Sequence, residues 1–314
     1  MRRLRALLVL AFSVLSCVAL FVSRSEAKPE TIRLIAPGVW FREGDIQEQG
    51  HCNNVIIEMK DYLIVVDANF PSGARLALAD TKRLSPKPVK YVFDTHHHGD
   101  HFYGNAVWTE AGATTLAFKG VADEVKRLEP ARWLDTAKTR KDVAGLNRTT
   151  PEPPKQEINE PRFVLEDGTR KVEFRHFGWA HTRGDGFVYL PKEQILCTGD
   201  AVVNGPYNFT GDANIGNWPL VLKAASKLKV KSVLPGHGLP AGPELIDGQA
   251  LFMTELTKAA RTAVDGGKSA DDLQSSLHLP AAVDAWVGEG TLKRQVQDAY
   301  AEAKEKKPRG DLPQ

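Results

Sequence analysis

Four histidines and an aspartate crowd into one short stretch of this 314-residue chain. The stretch DTHHHGDHFYGN contains His96, His97, His98, Asp100 and His101. Alternate residues of an extended segment point the same way, so His96 and His98 are expected to reach one ion. Asp100 and His101 follow the bend and are expected to reach a second ion. Imidazole and carboxylate are ligands that zinc takes in proteins, so the stretch predicts a metal centre, with His97 directed away from it as a wall residue.

Three more candidate ligands follow downstream, each beside a glycine at the end of a β-like run. They are His181 in GWAHTRGD, Asp200 in LCTGDAV and His237 in LPGHGLP. With the first four, they make seven ligands, which is about the number that two zinc ions sharing a carboxylate and a hydroxide require. We therefore expect two Zn²⁺ per chain, with iron or manganese as alternatives. The sequence contains no G-x-S-x-G nucleophile elbow.

These motifs resemble those of the metallo-β-lactamase superfamily. THHHGDH is similar to the form in glyoxalase-II-like members, and AHT-x-GD, TGD and GHG follow in the expected order between residues 37 and 242. The resemblance implies an α/β fold of the αββα sandwich type. It also implies the ligand sets: a first metal held by His96, His98 and His181, a second held by Asp100, His101 and His237, and a bridge made by Asp200.

The same resemblance implies a mechanism in which a metal-activated hydroxide attacks a carbonyl carbon. Asp100 is the expected catalytic residue, because it would hold the second metal and accept a hydrogen bond from the nucleophile. The stretch GDANIGNWPLVLKAASKLKVKSVLPGHGLPAG also resembles subclass B1 β-lactamases. This chain departs from B1 enzymes where Asp200 replaces a cysteine ligand, His101 replaces an arginine or serine, and Val203 replaces a lysine that grips the drug carboxylate. These departures argue against efficient β-lactam hydrolysis.

The elements that must position these residues follow from apolar patterning. Residues 31–67 predict hairpin-connected strands, Gly73–Leu84 a helix, and VKYVFDT a buried strand that runs into the histidine cluster. Ala117–Val143 predicts a helix broken at Pro130, and Thr149–Pro161, rich in proline and glutamate, predicts a linker loop. A second strand-rich half follows, with a helix at 219–228, and residues 243–307 are mostly helical with a break at Gly266. We expect a metallo-β-lactamase-fold domain over residues 28–242 and a C-terminal helical extension over residues 243–314.

The N-terminus is typical of a signal peptide spanning residues 1–27. A basic MRRLR segment precedes an apolar run, and a small-x-small site ends at Ala27. The alternative is an uncleaved anchor, because the run is about as long as the shortest membrane spans. Cleavage predicts a periplasmic or secreted protein with no stable membrane association. The two cysteines of the remaining chain, Cys52 and Cys197, are expected to be buried and unpaired.

Other residues are candidates for supporting roles. Asp67 and Asp94 end apolar strands and either orient ligand imidazoles or cap the strands, and Asp185 is a turn or supporting carboxylate. His51 and His176 are expected to be ordinary histidines. Five residues are candidates to line the pocket, with core packing as the alternative for each: Trp40, Phe70, Trp179, Tyr207 and Asn208.

The expected function is hydrolysis of a small-molecule ester, thioester, lactone or lactam. The alternatives are a mononuclear iron oxygenase similar to persulfide dioxygenases, a secreted β-lactamase, a nuclease of the same superfamily, and a non-catalytic binding protein. Lysine and arginine (41) nearly balance aspartate and glutamate (39), which argues against nucleic acid as a partner. The sequence carries no signal of oligomeric state.

Overall fold

A computed structural model describes residues 29–313; the predicted signal peptide lies outside the described residues. The strands are β1 Ile32–Ala36, β2 Val39–Arg42, β3 Asn54–Glu58, β4 Leu63–Val66, β5 Val89–Phe93, β6 Thr114–Phe118, β7 Gln156–Ile158, β8 Arg162–Glu166, β9 Lys171–Arg175, β10 Phe187–Leu190, β11 Ile195–Gly199 and β12 Ser232–Pro235. The α-helices are α1 Pro71–Leu84, α2 Gly99–Phe102, α3 Asn105–Glu110, α4 Lys119–Thr139, α5 Lys141–Ala144, α6 Trp218–Ala225, α7 Glu244–Asp265, α8 Ala270–Ser276 and α9 Glu289–Glu305. Two 3₁₀ helices span Ala281–Trp286 and Arg309–Asp311.

The strands form two sheets. The first has the order β1-β2-β3-β4-β5-β6-β7, antiparallel as far as β4 and parallel from β4 onward. The second has the order β12-β11-β10-β9-β8, in which only the β11–β12 pair is parallel. The hairpins predicted for residues 31–67 are confirmed as β1 to β4.

Apolar side chains fill three layers. Buried residues of both sheets, such as Phe41, Phe93, Phe174 and Leu234, pack face to face in the middle. The outer face of the first sheet packs against α1 and α3, and that of the second sheet packs against α6, α7 and α9. This arrangement confirms the predicted αββα sandwich. Because α7 and α9 lie behind the second sheet, the C-terminal helices share its core, and the boundary at residue 243 stays a prediction.

Two expectations for the middle of the chain are wrong. Helix α4 continues unbroken past Pro130 to Thr139, and residues 114–118, at its predicted start, form β6. Packing of Val125 and Trp133 against Phe102 and Tyr103 outweighs the backbone hydrogen bond that the proline removes. The predicted linker at 149–161 contains strand β7, which pairs with β6 and buries Ile158. A three-residue edge strand is too short to show an alternating pattern in the sequence.

Within residues 29–313, no helix combines the length and apolar character that crossing a membrane would require.

Candidate metal centre

The seven predicted ligands converge on one edge of the sandwich because most of them follow strand ends. The cluster at residues 96–101 follows β5, Asp200 follows β11, and His237 follows β12; His181 lies between β9 and β10. Gly236 must be a glycine, because a Cβ there would lie 2.1 Å from the Asp200 carboxylate. The close approach of these loops therefore depends on the absence of a side chain at Gly236.

His96, His98 and His181 form a three-histidine cluster. The His98 Nδ1 atom lies 3.1 Å from His96 Nε2 and 3.0 Å from His181 Nε2. His96 and His181 are buried, and burial lowers the pKa of His96 and lowers that of His181 to about 3. Neutral imidazoles whose nitrogens face one another offer converging lone pairs, which is what a divalent ion requires.

Asp100, His101 and His237 form a second cluster. The Asp100 Oδ2 atom lies 3.0 Å from His237 Nε2 and 3.3 Å from His101 Nε2, and the two imidazole nitrogens are 3.3 Å apart. Burial alone would lower the pKa of His237, but Asp200 and Asp100 raise it to about 9. A metal ion bound by the His237 imidazole would therefore displace its proton.

Asp200 lies between the two clusters. Its Oδ1 atom is 3.4 Å from His101 Nε2, and its Oδ2 atom is 3.3 Å from His237 Nε2 and 3.9 Å from His181 Nε2. The Oδ1 atom is buried without a hydrogen-bond partner among the described residues. A buried carboxylate oxygen of this kind is costly unless a cation satisfies it. The donor set and this oxygen, which accepts no hydrogen bond from the described residues, therefore fit divalent ions.

Asp67 orients one of the candidate ligands. Its Oδ2 atom accepts a hydrogen bond from His101 Nδ1 at 2.9 Å, which leaves Nε2 directed at the second cluster. The orienting role proposed for Asp67 therefore matches its contacts. Asp94 instead accepts a hydrogen bond from Asn105 Nδ2 at 2.8 Å, and among the described residues it has no hydrogen bond to a candidate ligand.

Asp185 supports the turn that carries His181. Its carboxylate accepts hydrogen bonds from the backbone N–H groups of Ala180 and Thr182, and from the Thr182 hydroxyl. Burial is the largest influence on the pKa of this carboxyl and raises it to about 7. The hydrogen bonds lower the pKa but do not offset the effect of burial. This is the turn or supporting role that was predicted.

The sequence patterns did not indicate Asp212 and Arg132, which lie beside the three-histidine cluster and form an ion pair there. The Asp212 carboxylate lies 2.8 Å from His98 Nε2 and 3.2 Å from His97 Nε2, and pairs with both terminal nitrogens of Arg132 at 2.7 and 2.8 Å. Burial would raise the pKa of Asp212, but hydrogen bonds from His97, His98 and Arg132 lower it below its usual range. His97 is thus turned away from the clusters, as predicted. No spacing rule links residues this far apart in sequence.

The five candidate pocket residues lie in different environments. Phe70 lines a groove of about 270 Å³ together with His98, Gly99 and Arg132, and the Tyr207 ring lies 5.8 Å from that of His237. Trp179 donates to the Asp212 backbone carbonyl at 2.9 Å. Of the five candidates, Phe70 alone is among the described residues that line this groove; Trp40 packs on the outer face of the first sheet, and Asn208 is only 3% exposed.

The two cysteines of the described residues, Cys52 and Cys197, are buried and unpaired, as expected. Cys197 packs in the core between the sheets. Cys52 lies near Asp67 and His101, but burial raises the pKa of its thiol to about 12, which disfavours the thiolate that a metal would bind. Of the two histidines expected to be ordinary, His51 contacts Glu30 and Ser72, and His176 contacts the Asp185 backbone carbonyl.

This fold and these clusters agree with a family assignment: the chain belongs to the metallo-β-lactamase superfamily, whose family model matches residues 48–237. The family indicates a metal-dependent hydrolase. A metallo-β-lactamase type 2 of Bacillus sp. (strain 170) is 24% identical over 195 residues, which cover 59% of this chain and 66% of that protein. The chain thus matches just under two thirds of that relative's length.

Solved structures show the same fold. A metallo-β-lactamase from Pontibacter korlensis matches 71% of this chain and 98% of its own, with 19% identity and a TM-score of 0.58. FIM-1 from Pseudomonas aeruginosa, solved in a mono-zinc form, matches 73% of this chain and 96% of its own, with 21% identity and a TM-score of 0.58. The inverting sec-alkylsulfatase Pisa1 from Pseudomonas sp. matches 87% of this chain and 50% of its own, with 18% identity and a TM-score of 0.69.

Proposed function

We propose that this protein is a dinuclear zinc hydrolase that cleaves an ester, thioester, lactone or lactam bond in a small molecule. The observation that carries the proposal is the position of Asp200, whose two carboxylate oxygens face the second cluster and, through Oδ2, also the three-histidine cluster. A carboxylate between two sets of three ligands is the arrangement expected of a bridge between two metal ions.

Each cluster of three ligands would hold one metal ion. His96, His98 and His181 would hold one zinc ion, and Asp100, His101 and His237 the other. Bound zinc supplies the Lewis acidity that makes water a nucleophile near neutral pH. The side chain of Asp100 is 21% exposed, the most exposed of the second cluster. Its carboxylate is therefore placed to accept a hydrogen bond from an attacking water and to fix its direction.

Two features favour a substrate other than a β-lactam. The lysine position of subclass B1 enzymes is occupied by Val203, which is fully buried. The Trp286 indole covers it and donates to its backbone carbonyl at 2.8 Å. This position therefore offers neither a charge nor access for a drug carboxylate.

A panel of zinc-loaded hydrolysis assays tests the proposal. The substrates are thioesters, lactones, nitrocefin and an alkyl sulfate, the last chosen for the likeness to Pisa1. Hydrolysis of each by the wild type would be compared with hydrolysis by an Asp200→Ala variant as the control. We expect turnover of a carbonyl substrate that the variant loses by at least about a hundredfold. Efficient nitrocefin turnover would contradict the inference from Val203 that a β-lactam is a poor substrate, and equal rates for both proteins would contradict the site.

We also propose that residues 1–27 are removed on export, leaving a periplasmic or secreted enzyme of a metallo-β-lactamase-fold domain and a C-terminal helical extension. The candidate metal ligands and the residues that the family model matches, 48–237, all lie after Lys28, which supports this proposal. Intact mass of the mature protein from the native host should correspond to a chain beginning at Lys28. Recovery of the full-length chain in the membrane fraction would favour the anchor instead.

A further inference from the structure

The loop at residues 203–213, which joins Asp200 to helix α6, forms one wall of the metal centre. The ring of Phe209 lies 5.3 Å from the His98 ring in an edge-to-face contact. The Asp212 carboxylate, at the end of the same loop, accepts the hydrogen bond from His98 Nε2 at 2.8 Å. The orientation of His98 therefore depends on where this loop lies.

The C-terminal segment holds the backbone of this loop along its length. Three loop carbonyls accept hydrogen bonds from it: Val203 from Trp286 Nε1 at 2.8 Å, Asn208 from Gln295 Nε2 at 2.8 Å, and Ala213 from Gly310 N at 2.9 Å. These donors lie on the 3₁₀ helix at 281–286, on α9 and on the 3₁₀ helix at 309–311. Buried backbone carbonyls require such partners, so the loop is fixed at three separate points.

A buried side-chain contact joins the loop to α9 at its centre. The Thr210 hydroxyl donates to Asp298 Oδ2 at 2.6 Å, and both residues are almost fully buried. Arg309 Nε pairs with the other oxygen of Asp298 at 2.5 Å. Arg294, one turn earlier on α9, places its guanidinium 5.1 Å from the Phe209 ring centroid. A hydrogen bond to a buried carboxylate is strong and directional, so it fixes the loop more firmly than a neutral contact would.

We propose that helix α9 is a working part of the metal centre: the Thr210–Asp298 hydrogen bond positions the loop so that Asp212 holds His98 in its metal-binding orientation. Thr210 and Asp298 are positioning residues, acting through Asp212. Asp298 lies outside the residues 48–237 that the family model matches, so the C-terminal segment adds a control of the site that the family motifs do not describe. The inference rests on the metal-binding function proposed above.

A matched pair of threonine variants tests the inference on the full-length protein. Thr210→Val keeps the shape of the side chain and removes its hydroxyl, whereas Thr210→Ser keeps the hydroxyl. Thr81→Val is the control, because Thr81 is a buried threonine on α1 whose hydroxyl makes one hydrogen bond, to the Leu78 carbonyl. The readouts are Co²⁺ affinity by chelator competition, the visible absorption of bound Co²⁺, and thermal melting of the metal-free proteins.

We expect Thr210→Val to weaken Co²⁺ binding by up to about tenfold and to change the absorption spectrum, since partners of ligand histidines typically control affinity by about 10- to 100-fold and this contact acts one step further away. Thr210→Ser and Thr81→Val should bind Co²⁺ as the wild type does, although Thr81→Val should melt at a lower temperature. Unchanged Co²⁺ binding by Thr210→Val, or equal weakening by Thr210→Ser or Thr81→Val, would overturn the inference alone. A wild-type protein that binds no Co²⁺ would overturn the proposed function as well.

Discussion

Replacing Asp212 by asparagine should weaken metal binding at the three-histidine cluster while leaving the fold intact. The pKa of Asp212 is held below its usual range, so its carboxylate only accepts, and His98 Nε2 must donate to it across 2.8 Å. That hydrogen bond places the proton on Nε2 and leaves Nδ1, which faces His96 and His181, free to bind a metal. An asparagine at this position would lack the charge that fixes this tautomer.

The expected size of the effect follows from the contact that is lost. Loss of a partner of this kind lowers metal affinity by about 10- to 100-fold, which corresponds to about 1.4–2.7 kcal/mol. Arg132 would lose its two contacts with the carboxylate, but it keeps Glu129 at 3.2 Å and is 27% exposed. The variant should therefore remain folded, with its largest change in metal affinity and not in the melting of the metal-free protein.

Chelator competition with Zn²⁺, together with melting curves with and without metal, measures both quantities. Glu173→Gln is a matched control, because Glu173 is also a buried carboxylate paired with two arginines, Arg162 and Arg175, and it lies on β9 away from the ligands. Unchanged zinc affinity in Asp212→Asn would refute the orienting role. Equal losses of affinity in both variants would show that the effect is general destabilisation.

Four further changes test other parts of the site. His101→Ala should leave about one metal ion per chain, because the three-histidine cluster does not include it; equal loss of both ions, by metal analysis, would contradict separate sites. Asp67→Asn should lower the affinity for a metal ion at the second cluster by about 10- to 100-fold, since it removes the charge that orients His101 Nδ1; a chelator titration measures that affinity. At pH 7, metal binding should release a proton from His237, whose pKa is raised to about 9, and calorimetry in buffers of different ionisation enthalpy should detect it. Because the pKa of Asp185 is raised to about 7, the folded state keeps a proton that the unfolded chain loses above about pH 4. The contribution of Asp185 to stability should therefore fall as pH rises between these values, by up to about 1.4 kcal/mol per pH unit. Urea unfolding of metal-free wild type and Asp185→Asn measures it as the pH dependence of the difference between their free energies of unfolding, and a difference that does not change with pH would contradict it.

The sequence predicted the parts of the molecule that depend on local pattern. Apolar runs of four or five residues ending at polar turns identified the strands that carry the ligands, and the spacing of His96 and His98 predicted that they share a site. The structure brings the seven candidates into three overlapping groups, which are His96, His98 and His181; His96, His101 and Asp200; and Asp100, His101 and His237. Asp67 was also a candidate partner, because a carboxylate at the end of a buried strand is already close to the residues that follow the neighbouring strand.

The contacts that the sequence did not predict depend on tertiary packing. Asp212 reaches His98 across 114 positions, and Thr210 reaches Asp298 across 88. Neither pair has a local pattern that distinguishes it from ordinary loop and helix residues. The helix break predicted at Pro130 was wrong for the opposite reason. Here a strong local signal was outweighed by the buried packing of Trp133 on Tyr103.

The most direct test of the central claim is the metal content of the chain after expression and purification without chelators. We expect about two zinc ions per chain for the wild type, because the Asp200 carboxylate lies between two clusters of three candidate ligands. Element analysis by mass spectrometry, normalised to protein concentration from amino-acid analysis, gives that number. One iron ion per chain and no zinc would contradict the dinuclear hydrolase and favour a mononuclear iron oxygenase.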